Sequence, residues 1–269
     1  MFKVINKENL AKEVTKIVVK AEQIARKAKA GQFVVVIVDE RGERIPLTLA
    51  DWDKDKGTIT LIFQKIGFST KKLGSLNPGD KIEHILGPLG HPTEIKKWDK
   101  VVCIGGGVGI AEAYPVCRAF KEAGNYVIGI IGTRNKDLLI LEKEMKKVCD
   151  ELFITTDDGS YGEKGFVSDV LKRLSGYNFV YAVGPIPMMQ AVSKITQEYH
   201  IKTIVSLNPI MVDATGMCGA CRLRVGNCTV FGCVDGPDFD AHAVDFEELS
   251  RRLKIFTEAE RKIDAQFNS

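Results

Sequence analysis

Between Val101 and Ser206, apolar strand-like runs alternate with helix-like stretches, and this alternation confines the segment to a parallel sheet covered by helices on both faces. The strands are read at Val101–Ile104, Tyr126–Ile131, Leu152–Thr155, Phe179–Val183 and Lys202–Ser206. The helices between them are read at Ile110–Glu122, Leu141–Cys149, Phe166–Leu174 and Pro187–Tyr199.

The first hundred residues follow a different rule. Glu13–Lys20 and Thr58–Gln64 alternate polar and apolar residues, as half-buried strands do, while Gln32–Val38 is a β-branched run and Ile45–Leu49 a shorter one. Turn signals separate them at Lys29–Gly31, Glu40–Gly42, Asp53–Gly57 and Asn77–Asp80, a spacing that predicts a small antiparallel barrel. The charged stretch Lys96–Lys100 marks the boundary. Past Asn208 the chain loses periodicity and becomes rich in Gly, Cys and Asp up to Asp240. Phe246–Gln266 reads as one charged amphipathic helix.

The 269-residue chain carries a net charge of only +3, which argues against a dedicated nucleic-acid binder. No segment reaches the ~18 apolar residues of a membrane span, and the N-terminus is charged from Lys3 onward with no apolar signal core. A cytoplasmic protein is expected. Seven cysteines, an odd number, fit that compartment better than a disulfide framework.

Four of the seven fall between Cys218 and Cys233. Cys218 and Cys221 form C-x2-C, Asp213 precedes Cys218 by the x4 interval, and Cys233 follows later. This is the plant-type 2Fe–2S spacing, C-x4-C-x2-C with a distant fourth ligand, with Asp213 in the first position. Gly216 and Gly219 let backbone amides turn toward sulfur. A zinc site built from Cys218, Cys221, Cys228 and Cys233 is the alternative, with the less usual C-x4-C as its second half. Gly105-Gly106-Gly107-Val108-Gly109 follows a strand and opens a helix, where amides and a helix N-terminus can receive a pyrophosphate, although the G-x-G-x-x-G pattern is imperfect. A second loop, Val183-Gly184-Pro185-Ile186-Pro187-Met188-Met189, also lies at the C-terminal end of a strand. In the barrel region, Arg44 beside Ile45-Pro46-Leu47-Thr48, and Gly67-Phe68-Ser69-Thr70, could serve a diphosphate.

In this order these motifs resemble the ferredoxin–NADP reductase superfamily. The likeness is strongest to its branch of electron-transfer subunits with a C-terminal 2Fe–2S module, those of dihydroorotate dehydrogenase and of NADH-dependent ferredoxin:NADP oxidoreductase. The resemblance implies an FAD-binding antiparallel barrel at residues 1–97, a parallel α/β NAD-binding domain at 98–208, a 2Fe–2S module at 209–240 and a C-terminal helix at 241–269. It sets Thr48 near the flavin ring, Arg44 near the phosphates, and Ile45, Pro46, Leu47, Ile62, Phe63, Gln64, Gly67, Ser69 and Thr70 in the FAD segments. The superfamily arginine is replaced by Ile45, with Arg44 one place earlier. NAD(H) is assigned Gly105 to Gly109, including Val108, with Thr133, Arg134, Asp157, Asp158, Gly184, Pro185 and Met188. Val183 stands where many members carry a cysteine at the hydride-transfer site.

Asp213, Cys218, Cys221 and Cys233 are the implied cluster ligands, and Asp213 favours the electron-bifurcating transhydrogenase branch over the four-cysteine dihydroorotate branch. No side chain is given a catalytic role; the cofactors carry the chemistry. A larger flavin and iron–sulfur subunit, bearing the NADPH and ferredoxin sites, is the implied partner in a heterodimer. Asp157 and Asp158 predict NADH over NADPH, with Arg134 opposing. A non-catalytic assembly or regulatory subunit, and a stand-alone flavin reductase with structural zinc, are the alternatives of other classes.

Overall fold

The structure, a computed structural model, describes residues 1–267 and divides into two compact units. The first comprises Met1–His91, Asn208–Pro237 and Asp245–Ser269; the second comprises Pro92–Leu207 and Asp238–Val244.

The first unit begins with β1 (Phe2–Ala11), β2 (Val14–Lys20), α1 (Glu22–Lys27), β3 (Phe33–Ile37), β4 (Ile45–Asp53), β5 (Thr58–Gln64), α2 (Phe68–Ser75), β6 (Lys81–Ile82) and β7 (His84–Leu89). The strands form one seven-stranded sheet in the order β6-β1-β2-β5-β4-β3-β7, with every neighbour antiparallel. Its two edge strands, β6 and β7, are separated in the chain by Glu83 alone, so the sheet curls into a nearly closed barrel. Ile17, Val19, Val34, Val36, Leu49, Ile59, Leu61 and Phe63 fill it. Sequence periodicity does not reveal β1: only Val4 is fully buried along it, and half of its ten residues are polar.

The run around β3 is apolar without alternation because both of its faces are buried. Val34 and Val36 point into the barrel, while Phe33 and Val35 point outward and pack with Ala214, Cys221 and Cys233.

The second unit carries β8 (Lys100–Gly106), α3 (Ile110–Glu122), β9 (Tyr126–Thr133), α4 (Glu142–Val148), β10 (Glu151–Thr156), β11 (Glu163–Lys164), α5 (Val167–Arg173), β12 (Phe179–Val183), α6 (Ile186–Glu198) and β13 (Lys202–Ser206). The chain then crosses to the first unit at Asn208 and forms an antiparallel hairpin, β14 (Arg222–Val225) with β15 (Cys228–Phe231). It returns as β16 (Asp238–Asp240), which pairs antiparallel with β13. The sheet order is β11-β10-β9-β8-β12-β13-β16, parallel except at β16. This is the expected combination of an antiparallel barrel, a parallel α/β sheet and a small C-terminal module.

The single helix expected over Phe246–Gln266 is two helices, α7 (Phe246–Arg252) and α8 (Thr257–Phe267). Phe246 and Leu249 bury one face of α7, but Ile255 and Phe256 are exposed, so no apolar stripe carries the first helix onward. Bonds from the Lys254 and Ile255 amides to the carbonyls three residues back tighten the end of α7. Among the described residues no helix is long and apolar enough to cross a membrane.

Phe33→Ala should cost about 3–5 kcal/mol of stability, because the ring is 5% exposed and leaves a cavity. Urea unfolding of the variant checks this; an unchanged midpoint would show that the outward face of β3 supports nothing.

Candidate functional site

The sheet of the second unit reverses its direction of growth at β8, with β9 laid on one side and β12 on the other. In open α/β sheets such a switch point, at the C-terminal ends of the strands, leaves a crevice for ligands. Both loops singled out in the sequence arise there. Gly105 and Gly106 end β8, Gly107 to Gly109 with Val108 form one 3-10 turn, and α3 begins at Ile110. Gly184 and Pro185 link β12 to α6. The loops touch: a Cβ on Gly106 would lie 2.5 Å from Met188 Sδ, and one on Gly184 would lie 3.0 Å from Gly106 Cα. Glycine at these positions is demanded by the approach of one loop to the other.

Further along the same edge, the Asp157 amide donates to the Thr133 carbonyl at 3.1 Å, and the Asp158 amide to the Arg134 carbonyl at 3.3 Å. The structure thus joins the Thr133–Arg134 and Asp157–Asp158 loops. Arg134, Asp157 and Asp158 are exposed. The Asp158 carboxylate accepts from the Ser160 amide at 2.9 Å, and hydrogen bonds from Ser160 hold its carboxyl below the usual range.

In the first unit, Ile45, Pro46, Leu47 and Thr48 open β4, with Ile45 and Leu47 packed against the barrel core. Ile62, Phe63 and Gln64 end β5, where the Phe63 ring belongs to the core. Gly67 precedes α2, and the Thr70 hydroxyl donates to the Gly67 carbonyl while accepting from its amide. The Ser69 hydroxyl donates to Glu43 at 2.6 Å. Arg44 turns to the cysteine loop, its Nη1 donating to the Asp213 carbonyl at 2.8 Å.

That loop pairs its candidate ligands. Cys221 Sγ lies 3.2 Å from Cys233 Sγ, and both residues are buried against Phe33 and Val35. The Asp213 carboxylate accepts from the amides of Thr215 at 2.8 Å and Cys218 at 3.1 Å, bonds that hold it below the ordinary carboxyl value. Burial pushes the Cys233 thiol up to about 12, aided by Cys221 and opposed by the Gly216 amide. Among the described residues no three such side chains converge on one metal position. The Cys221–Cys233 pair, with Asp213 held to Cys218 through the Cys218 amide, is compatible with a binuclear cluster, in which each tetrahedral iron would take two protein ligands. Cys228 is exposed on the hairpin, opposite Val225.

One group escaped the sequence reading. In the second unit, Tyr181 is fully buried with its hydroxyl 3.2 Å from Glu112 Oε1 and 3.5 Å from Asp238 Oδ1. The Ser206 hydroxyl donates to Glu112, and the Thr93 hydroxyl to Asp238 Oδ2 at 2.6 Å. Burial, with the nearby Glu112 charge, pushes the Asp238 carboxyl from 3.8 to about 7 against the hydrogen bonds from Thr93, Ser206 and Tyr181. The signals were a tyrosine inside the apolar run Phe179–Val183 and a glutamate in the first turn of α3.

Residues 208–245 match the iron–sulfur cluster binding domain of dihydroorotate dehydrogenase B. The electron-transfer subunit of dihydroorotate dehydrogenase B (NAD(+)) from Fusobacterium nucleatum is 30% identical over 88% of this chain and 95% of its own length. A homologue of that subunit in Thermotoga maritima is 42% identical over 96% of this chain and 92% of its own length. The chain belongs to the family of dihydroorotate dehydrogenase B electron-transfer subunits and their homologues. It is an oxidoreductase subunit that transfers electrons. A chain in the structure of an NADH-dependent reduced ferredoxin-NADP oxidoreductase, solved for insight into flavin-based electron bifurcation, superposes with a TM-score of 0.94 at 41% identity, covering 100% of this chain and 98% of that one. Phthalate dioxygenase reductase shares the fold at a TM-score of 0.60 and 15% identity.

Between about pH 4 and 7 the folded protein keeps a proton on Asp238 that an unfolded aspartate has lost. Stability should therefore fall as pH rises through this window, by at most about 4 kcal/mol, and level off above it. Asp238→Asn should flatten that slope. Urea unfolding from pH 4.5 to 8 tests it, and parallel pH profiles for variant and wild type would count against a raised Asp238.

Proposed function

We propose that this chain is the small subunit of an enzyme of the NADH-dependent reduced ferredoxin:NADP oxidoreductase type, and that its own nucleotide is NAD(H). Its cofactors are FAD and a 2Fe–2S cluster. When bound, the flavin exchanges a two-electron hydride for single electrons and the cluster conducts those singly. The observation that carries this reading is the approach of Cys221 Sγ to Cys233 Sγ in a loop whose Asp213 carboxylate accepts from the Cys218 amide, in a chain 41% identical to a subunit of such an enzyme.

The protein's part is to bind, space and shield. Asp213, Cys218, Cys221 and Cys233 hold the cluster, and Phe33 and Val35 exclude water behind its inner pair. Ile45 to Thr48, Ile62 to Gln64 and the Gly67–Thr70 turn bind FAD along β4, β5 and α2. Arg44 has five donors, so its bond to the Asp213 carbonyl is compatible with a flavin phosphate on the same guanidinium. The touching glycine loops, Gly105 to Gly109 and Gly184 to Met188, receive the nicotinamide nucleotide, and the Thr133–Arg134 and Asp157–Asp158 loops its adenosine end. The partner is a larger flavin and iron–sulfur subunit carrying the NADPH and ferredoxin sites. The place of work is the cytoplasm.

The relatives named for dihydroorotate dehydrogenase support a second reading, in which the partner is that dehydrogenase's catalytic subunit. Asp213 in place of a first cysteine favours the former. Co-purification decides: a partner that binds ferredoxin and NADPH supports the first reading, and one that oxidises dihydroorotate the second.

The optical spectrum of the purified chain should show flavin bands with a broad iron–sulfur shoulder. Asp213→Ala should lose cluster iron, whereas Asp213→Cys should retain it with a shifted potential, and Cys228→Ser should leave iron content unchanged. Full iron in Asp213→Ala, or its loss in Cys228→Ser, would remove Asp213 from the ligand set.

Asp157 and Asp158 oppose a 2′-phosphate and accept from ribose hydroxyls, so NADH should reduce the flavin at least about tenfold more efficiently than NADPH. With Asp158 engaged by Ser160, the discrimination falls chiefly to Asp157. Asp157→Ser should raise NADPH use in stopped-flow flavin reduction; equal efficiency of the two nucleotides in the wild type refutes the assignment.

A further inference from the structure

The loop that carries Asp213, Cys218 and Cys221 is held by three arginines, two of them from outside it. Arg44, just ahead of β4, donates to the Asp213 carbonyl at 2.8 Å. Arg252, the last residue of α7, donates to the Ala220 carbonyl at 3.0 Å. Arg222, at the start of β14, donates through Nη1 to the Gly219 carbonyl at 3.3 Å. Arg44 and Arg252 lie 169 and 32 residues along the chain from their acceptors, so neither bond is a by-product of a local turn.

Two consequences follow from elementary geometry and charge. In a planar trans peptide the carbonyl and the next amide point in opposite directions. An arginine that draws the Asp213 carbonyl to itself turns the Ala214 amide away from it, and the same holds for Ala220 with the Cys221 amide. Both carbonyls belong to stretches that carry candidate ligands, so the guanidinium groups fix how the donors are presented. The second consequence is electrostatic. Reduction adds one negative charge to a cluster, and cations against its ligand loop favour the reduced state; the neighbouring carboxylate of Asp213 acts in the opposite sense.

We propose that Arg44 and Arg252, with Arg222 in support, are positioning residues that clamp this loop and raise the reduction potential of the cluster it holds. Arg44 also immediately precedes the β4 segment assigned to FAD, so one side chain joins the flavin segment to the cluster loop. The inference rests on the cluster reading above and adds to it the groups that set the cluster's potential.

The test is a redox titration of the full-length holoprotein followed by electron paramagnetic resonance, beside iron and sulfide analysis. Arg44→Gln and Arg252→Gln should each lower the midpoint by the equivalent of about a tenfold change in the reduction equilibrium, 59 mV for a one-electron couple. Arg44→Lys and Arg252→Lys, which keep the charge, should stay near the wild-type value. A merely structural role would change iron content and leave the midpoint of the remaining clusters alone. Full iron with an unmoved midpoint in both glutamine variants overturns the clamp while leaving the cluster reading intact. Absence of iron and sulfide from the wild type overturns both. Should a glutamine variant shed its iron, the lysine variant carries the test, and a tenfold drop there refutes the proposal.

Discussion

β3 is buried on both faces, and the first unit is organised around that fact. Val34 and Val36 close the barrel, while Phe33 and Val35 form the floor under Cys221 and Cys233. A strand with one wet face would have left the cysteine pair in water. Water around the two thiols would remove the desolvation that holds Cys233 well above an ordinary thiol. The register places Thr48 opposite Phe33 and Pro46 opposite Val35, so the β4 segment assigned to FAD is hydrogen-bonded to the strand that supports the cysteines. A shift of one residue in β3 would exchange its faces and damage barrel and loop together.

The second unit depends on a different constraint, the contact between two loops at adjacent strand ends. Gly106 and Gly184 have no room for a side chain because each loop occupies the space a Cβ would need on the other. This packing gives the glycines a structural reason to exist whether or not a nucleotide is bound. It also makes a narrow edge where backbone amides are presented without intervening side chains, the condition under which a pyrophosphate can approach. Beside it, Glu112 and Asp238 share a network of three hydroxyl groups, and a second full negative charge there is opposed by burial.

Elements with strong periodicity were readable in the sequence. The helix Ile110–Glu122 and the strands Phe179–Val183 and Lys202–Ser206 occupy the residues expected, because their apolar patterns face a core along their full length. β1 was not legible, since an edge-proximal strand with one buried valine has little pattern to show. The β14–β15 hairpin was missed for a similar reason: Leu223 is its one fully buried residue. The cysteine spacing was legible as chemistry. What spacing cannot carry is which groups from elsewhere fold onto the loop, and so Arg252 went unmarked and Arg44 was read only as a phosphate ligand.

The paired arrangement of the loop has one more physical consequence. Cys221 and Cys233 are each 2% exposed, whereas Cys218 is exposed and its neighbour Met217 is 88% exposed. With one ligand pair at the surface and one against β3, the two irons of the proposed cluster would occupy unlike surroundings even if all four ligands were cysteine. A carboxylate at the half-buried Asp213 position adds to that asymmetry, because a hard oxygen donor gives less electron density than a thiolate and keeps part of its solvation there. Placing the aspartate in the buried pair would instead have set a carboxylate beside Phe33 and Val35, where burial opposes charge. Of the four proposed ligand positions, those of Asp213 and Cys218 are therefore the ones where an aspartate costs the fold least.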